Sequence, residues 1–275
     1  MSLSRRQTVT ALAAALPAAT ALTAHPAAAA RPRATPRTLY VAGDSTAAPK
    51  YADAAPETGW GMALPLFLGP HLRVANHAVN GRSSRSFLDE GRLAPIEAAL
   101  RPGDLLLIQF GHNDQKTEDP ARHTEPWTTY REHLLRYVSA ARARGARPVL
   151  LTSVERRRFD AEGKAVPTHG AYPAAMRALA AEHGVDLVDV QAASLALWGR
   201  LGPEASKEYF LWPAPGEWPQ YPDGKQDNTH FRPRGAIEVA RMVAAGLCRT
   251  RVLRPGDTRR LDADVPSDRI TWPPA

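Results

Sequence analysis

The sequence predicts an α/β protein, a three-layer α/β/α sandwich around a five-stranded parallel sheet. Two observations predict this class: five short apolar runs of the kind found in strands covered on both faces, and amphipathic helical stretches between them. Strands that alternate with helices imply right-handed β-α-β crossovers, and hence parallel strands. The chain has 275 residues, 44% of them hydrophobic, which is enough for one domain with a sizeable core plus extensions.

The strands are predicted, in chain order, at 37–43, 72–79, 104–111, 147–154 and 185–190. The helices are predicted at 86–100, 128–144, 172–183, 191–201 and 234–247. Ligands of such folds bind beyond the carboxyl ends of the strands. Ser45, "NGRSS" (80–84) and "GHND" (111–114) each follow a predicted strand, so we expect them to meet at one edge of the sheet.

Residues 1–30 have the order of parts found in an export signal. Arg5-Arg6 precedes a mildly apolar Ala/Leu/Thr run that ends in small residues, which resembles a twin-arginine signal with cleavage after Ala30. A disordered Ala-rich tail is the alternative. Pro17 and Pro26 interrupt the apolar run, which makes it a poor membrane span. The prediction is a secreted, extracellular protein that is not held in a membrane after cleavage.

The rest of the chain is predicted to have three parts: a linker at 31–36, a single folded domain at 37–248 and an irregular C-terminal extension at 249–275. The extension has weak periodicity, so we expect irregular chain that packs on the surface or is partly mobile. Because Cys248 is the single cysteine, an intrachain disulfide and a cysteine-rich metal site are both excluded.

The charge of the chain bears on its partners. The formal net charge is +7 at pH 7, and removal of Arg5 and Arg6 with the signal leaves +5. The basic residues are scattered and form no long Lys/Arg block, so the sequence does not favour nucleic-acid binding. A mildly positive field favours an acidic polymer as substrate.

Ser45 occupies a corner directly after the first predicted strand. In "YVAGDSTAAP" (40–49) an apolar run ends in Gly-Asp-Ser-Thr. Such a corner is either an ordinary turn, because Gly, Asp and Ser are common turn residues, or a nucleophile held at the carboxyl end of a strand. The second interpretation requires a base, an acidic partner for that base, and donors for an oxyanion.

Asp227 and His230 are candidates for the acidic partner and the base. In "QDNTHFRP" (226–233) they stand three residues apart, just before a predicted helix. On a turn this spacing lets the carboxylate take the Nδ1 proton and leaves Nε2 facing a nucleophile. The alternative is a helix-entry loop in which Asp227 or Thr229 caps the helix and His230 has no part in chemistry.

Gly81 and Asn113 are candidates for the oxyanion donors. Asn113 follows an apolar strand that ends in Gly111, and an amide at this place can donate to a developing oxyanion. Gly81 follows another strand, and its missing side chain leaves the backbone N–H open to a ligand. Either residue alone is more often part of an ordinary turn.

Taken together, these segments resemble the SGNH (GDSL-type) hydrolase superfamily, whose invariant members map to Ser45, Gly81, Asn113 and His230, with Asp227 completing a triad. The resemblance covers residues 37–248. "GDST", "GWG" (59–61), "NGRSSRSF" (80–87), "FGHND", "YPAAM" (172–176) and "DNTHF" (227–231) are more narrowly similar to the rhamnogalacturonan acetylesterase family. The resemblance implies the flavodoxin-like SGNH hydrolase fold and a secreted serine esterase that removes acetyl groups from pectic rhamnogalacturonan.

The resemblance also implies how the residues act. Ser45 attacks the acetyl carbonyl, His230 takes its proton and Asp227 orients the imidazole. The backbone N–H groups of Ser45 and Gly81 and the Asn113 amide form the oxyanion hole. No cofactor or metal is expected, because nucleophile, base and donors are already supplied. The expected partner is an acetylated polysaccharide or oligosaccharide, and the expected state is a monomer.

The candidates for substrate contact are aromatic, imidazole and basic side chains near these segments: Trp60, Arg82, His112, Trp212 and Trp218. Indole faces stack on sugar rings, but they also pack under long loops, and both interpretations hold for the two tryptophans of loop 209–224. Trp198, in a predicted helix, is expected in the core. Arg82 could meet a galacturonate carboxylate or a structural acid. His112 is expected to be a structural or substrate contact rather than the base.

Three alternatives stay open. An acetyl-xylan esterase, or a short-chain GDSL esterase or lipase of broad specificity, would share the same motifs. A lipase would need an exposed apolar acyl channel, whereas the loops here are polar and aromatic. A non-catalytic carbohydrate-binding protein could keep the fold, although every catalytic position holds a competent residue type. A nucleotide-binding Rossmann protein is excluded, because the Gly-x-Gly-x-x-Gly fingerprint is missing after the first strand.

Overall fold

The core of the protein is a parallel sheet of five strands in the order β2-β1-β3-β4-β5. The structure is a computed structural model that describes residues 36–275, so the predicted signal peptide and nearly all of the predicted linker lie outside the described residues. The strands are β1 Arg37–Gly43, β2 Leu72–Asn76, β3 Leu105–Gln109, β4 Arg147–Leu151 and β5 Asp186–Val188. All four neighbouring pairs are parallel.

Helices cover both faces of this sheet. In residues 36–275 they are α1 Trp60–Ala63, α2 Ser84–Asp89, α3 Leu93–Ala99, α4 Thr129–Ala143, α5 Tyr172–His183, α6 Val190–Ala205 and α7 Pro233–Arg249. One apolar cluster packs α1, α6 and α7 against one face of the sheet. A second packs the helices α2, α3, α4 and α5 against the other face. The predicted three-layer α/β/α architecture is therefore confirmed.

The period-two pattern of β1 explains how a single strand serves both layers. Successive strand side chains point to opposite faces of a sheet. Leu39 and Val41 accordingly belong to the first cluster, whereas Tyr40 and Ala42 belong to the second. All four are buried, which is why the strand reads as a continuous apolar run.

The predicted elements differ from the observed ones mainly at their ends. The helix predicted at 86–100 is two helices, α2 and α3, separated by a turn in which Gly91 has a φ of +69°. The strand predicted at 104–111 ends at Gln109, because the chain turns away at Gly111, where φ is +149°. The apolar run continues past the last ladder residue, so hydrophobicity alone places the strand end too late.

The segment that follows α7 is irregular but packed. It contains short 3-10 turns at Pro255–Asp257 and Ser267–Arg269, and Leu253 and Ile270 are buried in the first apolar cluster. Asp257 ties the segment to the start of the sheet, since its carboxylate pairs with Arg37 at 2.7 Å. Within the described residues, no helix is long and apolar enough to cross a membrane.

Candidate active site

Ser45 lies on a tight turn directly beyond β1. We call residues 44–47 the serine turn. The side chain of Asp44 is buried inside it and accepts hydrogen bonds from the backbone N–H and the hydroxyl of Thr46 at 2.9 and 2.8 Å. The Asp44 carbonyl accepts from the N–H of Ala47 at 3.1 Å. An aspartate that binds backbone two residues on is a standard means of closing a turn, and here it presents Ser45 at the sheet edge.

The "GWG" segment packs against the backbone of the serine turn and of the residue that follows it. A Cβ added to Gly59 would lie 2.0 Å from the Ala48 carbonyl oxygen, and one on Gly61 would lie 2.6 Å from that of Ala47. Only glycine permits backbones to approach so closely. Between them, Trp60 donates its backbone N–H to Thr46 at 2.9 Å. The two glycines and the tryptophan therefore hold the turn in place.

The structure brings Ser45, His230 and Asp227 together. His230 Nε2 lies 2.9 Å from Ser45 Oγ, and His230 Nδ1 lies 2.8 Å from Asp227 Oδ2. The other Asp227 oxygen accepts the backbone N–H groups of Thr229 and His230 at 2.8 and 3.0 Å. A carboxylate, an imidazole and a hydroxyl in series are the arrangement that activates a serine nucleophile.

Asp227 and His230 lie on a bulged strand, and not on the helix-entry loop that the sequence left open as an alternative. Strand β7, Asp227–Phe231, pairs antiparallel with β6, Phe210–Leu211. Phe231 lies opposite Phe210 and Asp227 lies opposite Leu211, so the three residues between Asp227 and Phe231 bulge out of the ladder. The bulge turns His230 back onto the carboxylate.

The environment of Asp227 favours its ionised form. Burial alone would raise the pKa of its carboxyl, but the hydrogen bond and charge of His230, with the backbone N–H groups of His230 and Thr229, lower that pKa well below its ordinary value. A carboxylate ionised under all working conditions keeps the proton of the imidazole on Nδ1 and leaves the Nε2 lone pair toward Ser45.

Gly81 and Asn113 lie in the same cleft as Ser45. Gly81 has a φ of +75°, which is the left-handed region that favours glycine. Asn113 Nδ2 donates one hydrogen bond to the Arg82 carbonyl at 3.0 Å. This bond fixes the amide beside Gly81 and leaves its second N–H available.

Asp114 joins the loop that carries Asn113 to the loop that carries Gly81. It is fully buried and accepts from the backbone N–H of Ser84 at 3.1 Å and from the hydroxyl of Thr124 at 3.1 Å, and the Ser84 hydroxyl also donates to it. Burial raises the pKa of Asp114 to about 7, although these donors favour the ionised form.

His112 forms a second aspartate–histidine pair beside the first. Its Nδ1 lies 3.1 Å from Asp44 Oδ2, and its Nε2 is buried with no hydrogen-bond partner among residues 36–275. Burial, only partly offset by the Asp44 charge, lowers the pKa of His112. For Asp44, burial raises the pKa, but the charge and hydrogen bond of His112, with donors from Thr46, bring it to about 2. Burial therefore opposes protonation of the His112 ring, whereas Asp44 is held in its ionised form.

The cleft around Ser45 has a volume of about 540 Å³. Besides the residues already described, its walls are formed by polar and charged side chains: Glu57, Asn80, Lys116, Arg156, Lys225 and Thr229. Three of these are cations and one is an anion. Within residues 36–275, no group of three or more His, Cys, Asp or Glu side chains is placed to hold a metal ion.

Trp60 is not a substrate contact, which corrects the sequence expectation. Its side chain has 0% exposure, and the indole N–H donates to Gln109 Oε1 at 2.7 Å. The same Gln109 oxygen lies 3.3 Å from the Thr46 hydroxyl. An aromatic residue next to a serine turn is equally compatible with a sugar platform and a buried support, and packing decides here for the support.

Arg82 binds a structural acid, the second of the two alternatives that the sequence left open. Its side chain binds both carboxylate oxygens of Glu90, at 3.1 and 3.0 Å, and does not line the cleft. What it supplies to the site is its backbone carbonyl, the acceptor for Asn113. The signal that could have shown this is Glu90 itself, which stands directly after α2 and six residues beyond "NGRSS".

Trp212 and Trp218 lie outside the cleft around Ser45. The Trp212 indole donates to Asn228 Oδ1 at 3.1 Å, and the guanidinium of Arg157 lies 4.8 Å from its ring centroid. Trp218 packs edge-to-face on Trp272 with ring centroids 5.9 Å apart. Both are loop-packing residues in this structure. Trp198 has 0% exposure, as predicted for the core.

Sequence reasoning missed the charged walls of the cleft. Lys50 is buried and bridges Glu57 and Asn80, with its Nζ 2.6 Å from each. Lys116 and Arg156 come from loops that follow β3 and β4. Parallel strands bring their carboxyl-end loops to one edge of the sheet. A basic residue shortly after β3 and another after β4 could therefore have predicted a positively charged cleft wall.

Comparison with known proteins identifies the class. The sequence matches the GDSL-like Lipase/Acylhydrolase family over residues 41–236. The structure of the esterase YxiM from Bacillus subtilis superposes with a TM-score of 0.68 at 30% sequence identity, covering 79% of this chain and 58% of that one. The chain belongs to the GDSL-like lipase/acylhydrolase family and is a carboxylic ester hydrolase of the SGNH type.

Two relatives narrow the resemblance. Rhamnogalacturonan acetylesterase RhgT of Bacillus subtilis (strain 168) is 46% identical over 212 residues, which cover 77% of this chain and 90% of the relative. A second protein of that organism, named "Probable rhamnogalacturonan acetylesterase YesY", is 40% identical over 76% of this chain and 91% of its own length. The predicted resemblance to the SGNH superfamily, and within it to rhamnogalacturonan acetylesterases, is confirmed.

Proposed function

We propose that the protein is a secreted esterase that removes O-acetyl groups from pectic rhamnogalacturonan, with Ser45, His230 and Asp227 as its catalytic triad. The observation that carries the chemistry is the chain of contacts from Asp227 through His230 to Ser45 Oγ, with both links below 3 Å. The choice of polymer is supported by the names of relatives that are 46% and 40% identical over most of this chain.

The first half of the reaction forms an acetyl-enzyme. Ser45 Oγ attacks the acetyl carbonyl carbon while His230 Nε2 accepts the hydroxyl proton, and Asp227 stabilises the imidazolium that results. The carbonyl oxygen becomes an oxyanion that the Ser45 N–H, the Gly81 N–H and the free Asn113 amide hydrogen can bind. The bond to the sugar oxygen then breaks, and His230 returns the proton to that oxygen.

The second half releases acetate. A water molecule gives its proton to His230 Nε2 and attacks the same carbonyl carbon, the oxyanion forms again at the same donors, and the Ser45–acetyl bond breaks as the proton returns to Oγ. Every proton therefore passes through one ring nitrogen. A single histidine in contact with Ser45 is sufficient for both halves.

His112 is not the base in this mechanism. Its Nδ1 is occupied by Asp44, and His230 Nε2, not His112, lies within hydrogen-bond distance of Ser45 Oγ. Burial also opposes the protonation of His112, since it lowers the pKa of the ring. We assign His112 to positioning of the serine turn.

The test of the chemistry compares wild type with Ser45→Ala and with Ser139→Ala, an exposed serine on α4 that serves as the matched control. Acetate release is measured from acetylated rhamnogalacturonan, homogalacturonan and xylan. We expect Ser45→Ala to lose at least about 10³-fold in kcat and Ser139→Ala to keep full activity. Equal activity of Ser45→Ala and wild type would exclude the proposed nucleophile.

The substrate panel also separates the alternatives. Faster acetate release from xylan than from rhamnogalacturonan would favour an acetyl-xylan esterase, and hydrolysis of long-chain esters would favour a lipase. Failure of the intact protein to react with a serine-directed phosphonate would favour a non-catalytic carbohydrate-binding protein.

Export is proposed from the sequence of residues 1–30 alone. Expression of the full chain in a bacterial host with a twin-arginine pathway should yield extracellular protein that begins after the proposed cleavage at Ala30. We expect an Arg5→Lys/Arg6→Lys variant to remain inside the cell with its first residues intact. N-terminal sequencing of both fractions checks this, and equal export of the two chains would contradict it.

A further inference from the structure

The walls of the cleft carry more positive than negative charge. Lys116, Arg156 and Lys225 line it, whereas Glu57 is the single carboxylate among its lining residues in the described part of the chain. Glu57 is already neutralised, because the buried Lys50 Nζ lies 2.6 Å from its Oε1. The cleft is thus prepared for a ligand that carries negative charge.

The donors of Arg156 are largely used within the protein. Its guanidinium donates to the carbonyl oxygens of Thr168 at 3.4 Å and His112 at 3.3 Å. The Gln115 amide, oriented so that its oxygen faces the guanidinium, accepts from both terminal nitrogens at 2.6 and 2.8 Å. Arg156 therefore braces the loop that carries His112 and Gln115, and it contributes charge more than free hydrogen bonds.

Lys225 is partly neutralised. Its Nζ lies 3.5 Å from Asp227 Oδ2 and 5.2 Å from the centroid of the Tyr221 ring. Because Asp227 also serves His230, a ligand that drew Lys225 away would disturb the triad. Lys225 is therefore a weaker candidate for binding an anion.

Lys116 differs from both. The Lys116 side chain is half-buried in the cleft wall. In the described part of the chain, no side-chain or backbone acceptor lies within hydrogen-bond distance of its Nζ. Its backbone N–H donates to the Asn113 carbonyl at 3.2 Å. Lys116 is thus carried on the same turn as Asn113, and both residues line the cleft that contains Ser45.

We propose that Lys116 binds a carboxylate of the substrate, so that the enzyme selects acetyl esters on uronate-containing polysaccharides over the same esters on neutral ones. This inference rests on the proposed function and assigns its preference for an acidic polymer to one side chain. The carboxylate belongs to the acetylated sugar or to its neighbour, since Lys116 lines the same cleft as Ser45 and Asn113. A charged hydrogen bond at a partly exposed site discriminates by about five- to tenfold.

The experiment uses one acetylated rhamnogalacturonan in two forms, native and carboxyl-reduced, both re-acetylated to the same acetyl content. The measured quantity is the ratio of kcat/KM for the native form to that for the reduced form. We expect wild type to prefer the native form about five- to tenfold, and Lys116→Met to bring the ratio close to one. Lys116→Arg, which keeps the charge, should keep most of the preference, and the preference should shrink with added salt.

Lys164→Met is the matched control, because Lys164 is exposed and lies outside the cleft. It removes one positive charge from the whole protein, so it should keep the wild-type ratio. If Lys116→Met also keeps the wild-type ratio, or if wild type prefers the reduced polymer, the assignment is overturned.

A second readout separates failure of this inference from failure of the proposed function. The assay measures competitive inhibition of p-nitrophenyl acetate hydrolysis by deacetylated uronate oligosaccharides. We expect the inhibition constant of these oligosaccharides to be about five- to tenfold higher for Lys116→Met than for wild type. Inhibition that is equal in both proteins would overturn the role of Lys116. Absence of acetate release from either polymer, with p-nitrophenyl acetate still hydrolysed, would instead overturn the proposed polymer.

Discussion

The contact between Gly59 and the chain beyond the serine turn can be tested by adding one methyl group. Gly59 has a φ of −83° and a ψ of 144°, which any residue can adopt, so Gly59→Ala introduces no backbone strain of its own. Its Cβ, however, would lie 2.0 Å from the Ala48 carbonyl oxygen and 2.7 Å from the Ala47 carbonyl carbon. Both neighbours are backbone atoms, so no side chain can swing away.

The size of the effect follows from that distance. If about 3.3 Å is the shortest tolerated carbon–oxygen contact, Ala48 must move by roughly 1.3 Å. The Ala48 N–H donates to the Asp44 carbonyl at 3.0 Å, so the movement reaches the residue next to Ser45. A misplacement of about 1 Å costs on the order of 10²-fold in rate, and overpacking lowers the free energy of unfolding by about 1–3 kcal/mol.

The assay measures kcat for p-nitrophenyl acetate and the urea midpoint of unfolding. Gly256→Ala is the matched control, since a Cβ there would meet no atom within 4 Å and its φ is not positive. We expect Gly59→Ala to lose about 10²-fold in kcat and Gly256→Ala to stay within about 0.5 kcal/mol of wild type in stability with full activity. Wild-type kcat and midpoint in Gly59→Ala would refute the claim that this contact positions Ser45.

Three further perturbations follow. Asn113→Ala should lower kcat about 10²–10³-fold through loss of an oxyanion donor; an unchanged kcat in a steady-state assay would remove it from the site. Trp60→Phe should lower the free energy of unfolding in urea by about 2–4 kcal/mol, because it deletes a buried ring and the bond to Gln109, and a rise in KM without loss of stability would restore the sugar-platform interpretation. Burial raises the pKa of Asp114 to about 7, so between about pH 4 and 7 the folded state keeps a proton that the unfolded chain releases, and stability falls as pH rises through that window. Asp114→Asn should lack this fall, which is at most about 4 kcal/mol; identical slopes of urea stability against pH in both proteins would show that Asp114 does not titrate there.

The sheet and the convergence of the motifs were predictable because both follow from local pattern. Five apolar runs defined five strands, and parallel strands necessarily bring their carboxyl-end loops to one edge. Ser45, Gly81 and Asn113 meet there for that reason. Strand β1 was predicted with its observed bounds, because Arg37 and Gly43 mark a polar start and a turn. Strand β3 was not, since its apolar run continues beyond the ladder.

Features that depend on non-local packing could not be predicted. Strand β6 has two residues, which is too short for any periodicity, so the bulged pairing that turns His230 toward Asp227 was invisible. The burial of Trp60 depends on Gln109, which is far away in the chain. Lys116 stands two residues after "GHND", but that its Nζ has no acceptor among residues 36–275 becomes apparent only when the surrounding loops are assembled.

The segment "GHND" shows why the site depends on residues that need not touch substrate. Its three side chains bind three other parts of the fold: His112 meets Asp44 in the serine turn, Asn113 meets the Arg82 carbonyl beside Gly81, and Asp114 meets the start of α2 at Ser84. These bonds set the distances between the proposed nucleophile and the two loops that carry the other proposed oxyanion donors. Since neighbouring backbone positions fix all three, a shift of this one loop would move the proposed oxyanion donors together, whereas a shift of β7 would move His230 and Asp227.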